Sequence, residues 1–245
     1  MRPISVERET LRAGPAGTIP RALRIFGIPC FVLVALQACV SGPPVLSPPP
    51  TQIDALDGYG SLSLRRESGS VKTRFSFRFI LPDTGRIEAL DVFGRTLAIL
   101  IFKEGDSWLA LPSRHAYWTG PEEELMEKFL GFGLKAGELA RLLCGHWTGP
   151  GAPDGTGGWD LDRDARGRVL GGERDGFRFE VGEFFGGASV PRTIAFSRAG
   201  RSGKVRVLKI QFNRPPRGDL FGPSILKGLE PKTWPEIEAL LQDED

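Results

Sequence analysis

VKTRFSFRFIL, residues 71–81, alternates with period two from end to end. Val71, Thr73, Phe75, Phe77, Phe79 and Leu81 fall on one face. Lys72, Arg74, Ser76 and Arg78 fall on the other, broken only by Ile80. Side chains of a strand point alternately to opposite sides, so this is a strand with one wet face and one unusually aromatic face. Such a strand needs antiparallel neighbours and a second layer to cover its phenylalanines.

The flanking sequence supplies both. Leu62 and Leu64 alternate with Ser61, Ser63 and Arg65, so strands are expected from about Gly60, with residues 53–59 ambiguous. Glu67-Ser68-Gly69-Ser70 and Pro82-Asp83-Thr84-Gly85 read as turns. Residues 86–92 form a further strand candidate. Residues 95–102 are β-branched and apolar on both faces, Lys103-Glu104-Gly105-Asp106 is a hairpin loop, and residues 108–111 start the return strand. The period then changes. Thr119-Gly120-Pro121-Glu122 offers a capping box, followed by Leu125, Met126, Phe129 and Leu130 at helical spacing. A second helix over 136–144 places Leu139, Leu142 and Leu143 on one side and ends at Gly145. Residues 148–158 (TGPGAPDGTGG) read as a loop, and 145–176 as a whole has no assignment. Strands resume at 177–181, 191–197 and 204–212, the last with a slip at Val207-Leu208 that suits a bulge. Thr233-Trp234-Pro235-Glu236 caps a short terminal helix carrying Ile237, Leu240 and Leu241.

The N-terminus has a different character. Arg21 and Arg24 precede an apolar run from Ile25 to Leu36, closed by Leu36-Gln37-Ala38-Cys39. A positive segment, a core of about a dozen apolar residues and small residues before a cut describe a secretory signal. The run is shorter than the ~20 residues that span a bilayer. Leu-x-Ala-Cys resembles the bacterial lipobox, in which the cysteine is lipidated and becomes the first mature residue. The expected organisation is a signal peptide over 1–38, a lipidated proline-rich tether over 39–56 and a single domain over 57–245.

Charge and chemistry exclude several classes. The chain has 32 basic and 30 acidic residues, but five arginines and two glutamates precede Cys39. The remainder carries 27 basic against 28 acidic residues, so the basic isoelectric point belongs to the leader and nothing favours nucleic acid. With Cys30 removed and Cys39 lipidated, Cys144 has no disulfide partner and sits in an apolar helical stretch, where a buried thiol is expected. His115 and His146 lack ligand-spaced neighbours, so neither a metal nor a cofactor is expected. Gly105-Asp106-Ser107 has the form of an esterase nucleophile block, but no histidine follows His146 and the segment sits at a hairpin. No nucleophile elbow or phosphate-binding loop occurs.

The order of lipobox, tether, antiparallel strands, two helices, long loop and further strands resembles the LolB family of outer-membrane lipoproteins, which receive other lipoproteins from a periplasmic LolA carrier. The resemblance runs from about Gly60 to Phe212. It is carried by Tyr59-Gly60-Ser61-Leu62, Phe77-Arg78-Phe79, Asp91-Val92-Phe93-Gly94, Phe129-Leu130-Gly131, Leu142-Leu143-Cys144-Gly145, residues 177–181 and Pro191-Arg192-Thr193-Ile194. It implies an α+β fold, an incomplete antiparallel β-barrel with helices covering its open side. It also implies an apolar cavity for lipoprotein acyl chains or lipid, assigned to Phe75, Phe77, Phe79, Leu81, Leu97, Ile99, Phe129 and Leu142. The phenylalanine face suits such a wall, and it suits a solid core equally. The family's Pro-Leu-Gly turn inserts a leucine into the membrane. Here Val92 and Phe93 take those places, with valine for proline and a charge added at Asp91. The implied setting is the periplasmic face of the outer membrane, anchored through Cys39, since Val40 is not aspartate. The alternative is a docking lipoprotein with a filled core.

Overall fold

The computed structural model describes residues 50–242 apart from 67–68, 132, 148–157, 187 and 216–219. The leader, Cys39 and most of the tether therefore lie outside the described residues, as does nearly all of the 148–158 loop.

Six strands form a meander: β1 (Ala55–Arg66), β2 (Gly69–Ile80), β3 (Thr84–Leu90), β4 (Thr96–Lys103), β5 (Asp106–Leu111) and β6 (Ala116–Pro121). Two helices follow, α1 (Glu122–Leu130) and α2 (Ala136–Cys144). Then come β7 (Asp160–Arg163), β8 (Val169–Arg174), β9 (Phe177–Phe184), β10 (Pro191–Arg198), β11 (Arg201–Phe212), β12 (Glu230–Pro231) and α3 (Trp234–Gln242). They make one 12-stranded sheet in the order β12-β6-β5-β4-β3-β2-β1-β11-β10-β9-β8-β7. Every pairing is antiparallel except the short β12–β6 contact. The sheet is curved and open. Among the described residues no helix is long and apolar enough to cross a membrane.

The phenylalanine strand is central, as its pattern requires. Phe75, Phe77 and Phe79 are buried, whereas Val71, at the frayed start of the same face, is 55% exposed. The inward positions opposite them explain the ambiguity of β1. Phe77 faces Gly58, Phe75 faces Gly60 and Phe79 faces Gly85. A Cβ on Gly58 would lie 2.1 Å from the Lys209 carbonyl oxygen and 2.8 Å from the Phe77 ring, and one on Gly85 would lie 2.6 Å from the Phe79 ring. Each ring occupies the space that its cross-strand neighbour lacks, which lets the sheet curl around the rings. The strand accordingly begins at Ala55, inside the expected tether, with Ile53 and Leu56 already buried. Asn213 fixes this start: its Oδ1 accepts the Asp54 N–H at 2.9 Å and its Nδ2 donates to the Gln52 carbonyl at 2.8 Å.

The expected bulge is present. Tyr59 pairs with Lys209 and Gly60 with Val207, so Leu208 is the extra residue. The helix over 136–144 has the expected bounds and stops at Gly145, whose φ of 68° and N–H bond to the Arg141 carbonyl at 2.8 Å form a left-handed C-cap. The capping box at Thr119 is not formed. Thr119 lies in β6, its hydroxyl donating to the Ser107 carbonyl at 3.2 Å, and the strand runs directly into α1 with no side-chain cap. At α3, Glu236 does accept from the Thr233 N–H at 2.8 Å and hydroxyl at 2.6 Å. The unassigned stretch contributes the β7–β8 hairpin.

Candidate functional site

α1 and α2 lie against the inner face of the sheet, and an apolar cavity of about 70 Å³ remains between them. That is several times the ~10–15 Å³ a single water needs. Phe75, Phe77, Ala89 and Leu100 line it from the sheet's first half. Ile194, Phe196 and Val205 line it from the second half, and Phe129, Leu139 and Leu142 from the helices. The polar exception in the lining, Thr73, has its hydroxyl committed to the Leu90 carbonyl at 3.1 Å. A cavity so lined gives a water few partners and favours hydrocarbon.

Of the residues assigned to the cavity from sequence, Phe75, Phe77, Phe129 and Leu142 line it. Phe79 and Leu81 belong to the same core beyond its edge. Ile99 points the other way. It packs with Ile101 and Ala110 on the outer face, against Trp108, Tyr117, Phe221, Ile225, Leu226 and Leu229, and Leu97 shares its parity. The physical reason is that β4 is covered on both sides, by the core within and by the segment before β12 without. Period two alone cannot choose its inner face. Ala98, Leu100 and Phe102 hold that place. Contributions from β9, β10 and β11 could not be joined to β2 without the strand order.

The helices are tied down by polar contacts at their rims. Glu122 is buried, and its carboxylate accepts the Ala136 N–H at the start of α2. Burial pushes the Glu122 carboxyl above the usual carboxylate range, against the pull of that bond. Arg198 pairs with Glu127 at 3.1 Å, joining β10 to α1. Arg174 forks onto Glu138, joining β8 to α2, with its guanidinium 4.6 Å above the Trp159 ring. Burial works to raise the Glu138 carboxyl, but hydrogen bonds from Arg174 and the Lys135 N–H outweigh it and hold it below its ordinary value. The stability this contributes is complete above the ordinary glutamate value of 4.5 and is lost as pH falls through the depressed one. Glu138→Gln should therefore cost about 2 kcal/mol at neutral pH. Denaturant titrations should show wild type and variant converging as the pH is lowered below 4.5.

At the sheet's end the β3–β4 turn presents Val92 and Phe93 to solvent, 79% and 82% exposed. Asp91 builds the turn. Its Oδ1 accepts the N–H groups of Phe93 and Arg95 at 2.8 Å, and its Oδ2 takes the Arg95 guanidinium at 2.6 Å. The same Asp-x-x-Gly-Arg turn recurs between β7 and β8, where Asp164 accepts from Arg166 and Arg168. There the tip residues are Ala165 and Arg166. The turn thus forms without large apolar tips, so Val92 and Phe93 are not required by its geometry.

Other candidates of the sequence have local structural roles. Ser107 is fully buried and its hydroxyl donates to the Gly120 carbonyl at 2.8 Å, bridging β5 and β6. Cys144 is buried, which pushes its thiol up to about 11. Among the described residues no three His, Cys, Asp or Glu side chains converge as metal ligands.

No family model and no curated protein matches the chain. Solved structures do. A putative outer membrane lipoprotein-sorting protein domain from Vibrio parahaemolyticus is similar with a TM-score of 0.50 at 14% identity, over 72% of this chain and 93% of that one. A LolA superfamily protein from Nitrosomonas europaea gives 0.48 at 12% identity, over 69% and 90%. A DUF1329 family protein from Desulfovibrio piger gives 0.49 at 10%, over 72% and 92%. At such identities the likeness is one of fold alone, an open curved sheet with two helices across its inner face, shared with the Vibrio parahaemolyticus domain.

Proposed function

We propose that the chain is an envelope lipoprotein that shelters acyl chains, of lipoproteins or of free lipid, and helps to place them in the outer membrane. The observation that carries this reading is the cavity between α1, α2 and the phenylalanine wall, which has an apolar lining and lies where the fold is open. In the conformation described it takes a short length of hydrocarbon. A whole acyl chain requires the two helices to move outward, against the rim contacts at Glu127 and Glu138. Each methylene moved from water into such a site contributes about 0.8 kcal/mol, so no nucleotide or other cofactor is needed to drive uptake. The reading includes export under residues 1–38, anchoring through Cys39 on the tether, receipt of cargo from a LolA-type carrier, and no catalysis. Val92 and Phe93 serve as the residues that enter the bilayer. Their exposure, on a turn that forms equally well with Ala165 and Arg166, supports that role.

The test is native mass spectrometry of the Cys39→Ala chain purified from cells, with fluorescent fatty-acid uptake in parallel. A bound species of acyl-chain mass and saturable uptake are expected. Ala89→Leu, which fills the cavity without burying a charge, should weaken both while its circular dichroism remains that of the wild type. A clean apo mass with no uptake would sink the carrier and leave the docking lipoprotein with a filled core.

A further inference from the structure

The outward face of the sheet's centre carries a regular lattice of cations. Lys72 on β2 and Lys204 on β11 flank Ser63 of β1, and Arg74 and Arg206 flank Ser61 in the next row. Lys209 pairs with Tyr59 beyond them, and Arg65 closes the opposite end. All six basic side chains are exposed. Neighbouring strands lie ~4.8 Å apart and alternate residues ~6.7 Å apart, so the six share a patch only a few such spacings across.

From the Tyr59 row to the Arg65 row, the outward positions of these three strands contain no carboxylate. Among the described residues none of the six is in an ion pair, whereas Arg86, Arg95, Lys128, Arg168, Arg174, Arg192 and Arg198 each are. Six cations thus share one face with no carboxylate among them, at the cost of mutual repulsion.

The apolar turn lies at the same end. β3 leaves the sheet at Leu90, the partner of Arg74, so Val92 and Phe93 stand beside the Lys72 end of the patch. Tyr59 and Leu208 add exposed apolar area within it, at 47% and 39%. Cations ringed by exposed aliphatic and aromatic tips match a layer of phosphates above hydrocarbon. An acidic protein surface would satisfy the cations and leave Val92 and Phe93 in water.

We propose that this basic face of β1, β2 and β11 docks the protein on the anionic headgroups of a lipid surface. It thereby sets the orientation in which the β3–β4 turn meets the bilayer. The inference rests on the envelope setting proposed above and not on the cavity.

The experiment uses the full lipidated chain, reconstituted in vesicles of phosphatidylcholine alone or mixed with phosphatidylglycerol in equal parts. Lysines are briefly acetylated and read by peptide mass spectrometry. Lys72, Lys204 and Lys209 should acetylate severalfold more slowly on the anionic vesicles. Exposed Lys103 and Lys227, outside the patch, should be unchanged. Salt near 1 M, where the Debye length is ~3 Å, should erase the difference. The double variant Arg74→Glu/Arg206→Glu, altered at outward exposed positions, should lose it too. Equal rates at the three lysines on both vesicles would overturn the proposal and leave an acidic protein as the counterpart of the patch. So would a slowing shared by Lys103 and Lys227, or one that survives the double variant. Ala89→Leu separates the two readings: it should lower fatty-acid uptake and leave the lysine protection intact.

Discussion

Gly58→Val should destabilise the protein by about 4 kcal/mol, a large part of the ~5–15 kcal/mol that a domain of this kind possesses. The reason is backbone and not propensity. A Cβ at Gly58 meets the Lys209 carbonyl oxygen at 2.1 Å and the Ile210 Cα at 3.1 Å. Neither atom can turn aside as the end of a side chain could. Relief requires β1 and β11 to separate at the middle of the sheet, breaking ladder bonds on both sides of Gly58. The Phe77 ring, 2.8 Å from the same point, would also leave the place it fills. A methyl at an open strand position has no such consequence. At Gly182 in β9 the nearest atom to a built Cβ is the Thr193 methyl at 3.8 Å. Gly182→Ala should therefore be neutral or stabilise by a few tenths of a kcal/mol, by restricting the unfolded chain. Urea titrations of both variants check the pair. A Gly58→Val protein of unchanged midpoint would show that the phenylalanine–glycine fit does not set the curvature.

The same glycines show where sequence reading succeeds and where it stops. Alternation at Phe75, Phe77 and Phe79 is legible because the strand obeys its own period. The bulge is legible because Val207 and Leu208 break theirs. α2 is legible because apolar spacing and a terminal glycine agree. β1 begins too late in the sequence reading because Gly58 and Gly60 count against a strand locally, yet are required by the rings opposite them. β8 is hidden for a related reason. Gly171 and Gly172 leave no apolar pattern, and their Cβ positions are taken by the Phe179 carbonyl and ring. β6 disappears under a capping motif because Thr119 and Glu122 suit a helix start. The structure uses one to bridge strands and the other to hold α2. Half of the assigned cavity residues line it. The error at Leu97 and Ile99 is not one of hydrophobicity. It follows from a cover on the outer face that only the path of the C-terminal segment reveals.

Ala89→Leu should separate the carrier from the filled core in a single variant. Ala89 lies on β3, 9% exposed, lining the cavity beside Phe75 and Leu100. It is the smallest of the lining side chains, and Leu adds three heavy atoms that point into a space of about 70 Å³. Filling an apolar void in a protein that does not use it typically stabilises by ~0.5–2 kcal/mol, and the same gain is expected here for the empty state. The cost falls on cargo. Fatty-acid uptake should drop at least about tenfold, since the loss of two methylene sites at ~0.8 kcal/mol each exceeds the 1.4 kcal/mol that a tenfold change represents. A rise in thermal midpoint together with lost uptake is the signature of a functional void, one that evolution has left open at the expense of stability. A rise in midpoint with uptake unchanged would mean that lipid binds elsewhere. A fall in midpoint would mean that the void cannot take the side chain and that α1 and α2 press more closely on the sheet than their rim contacts indicate. The variant thus measures the quantity on which the proposal depends, the room between two helices and a phenylalanine wall.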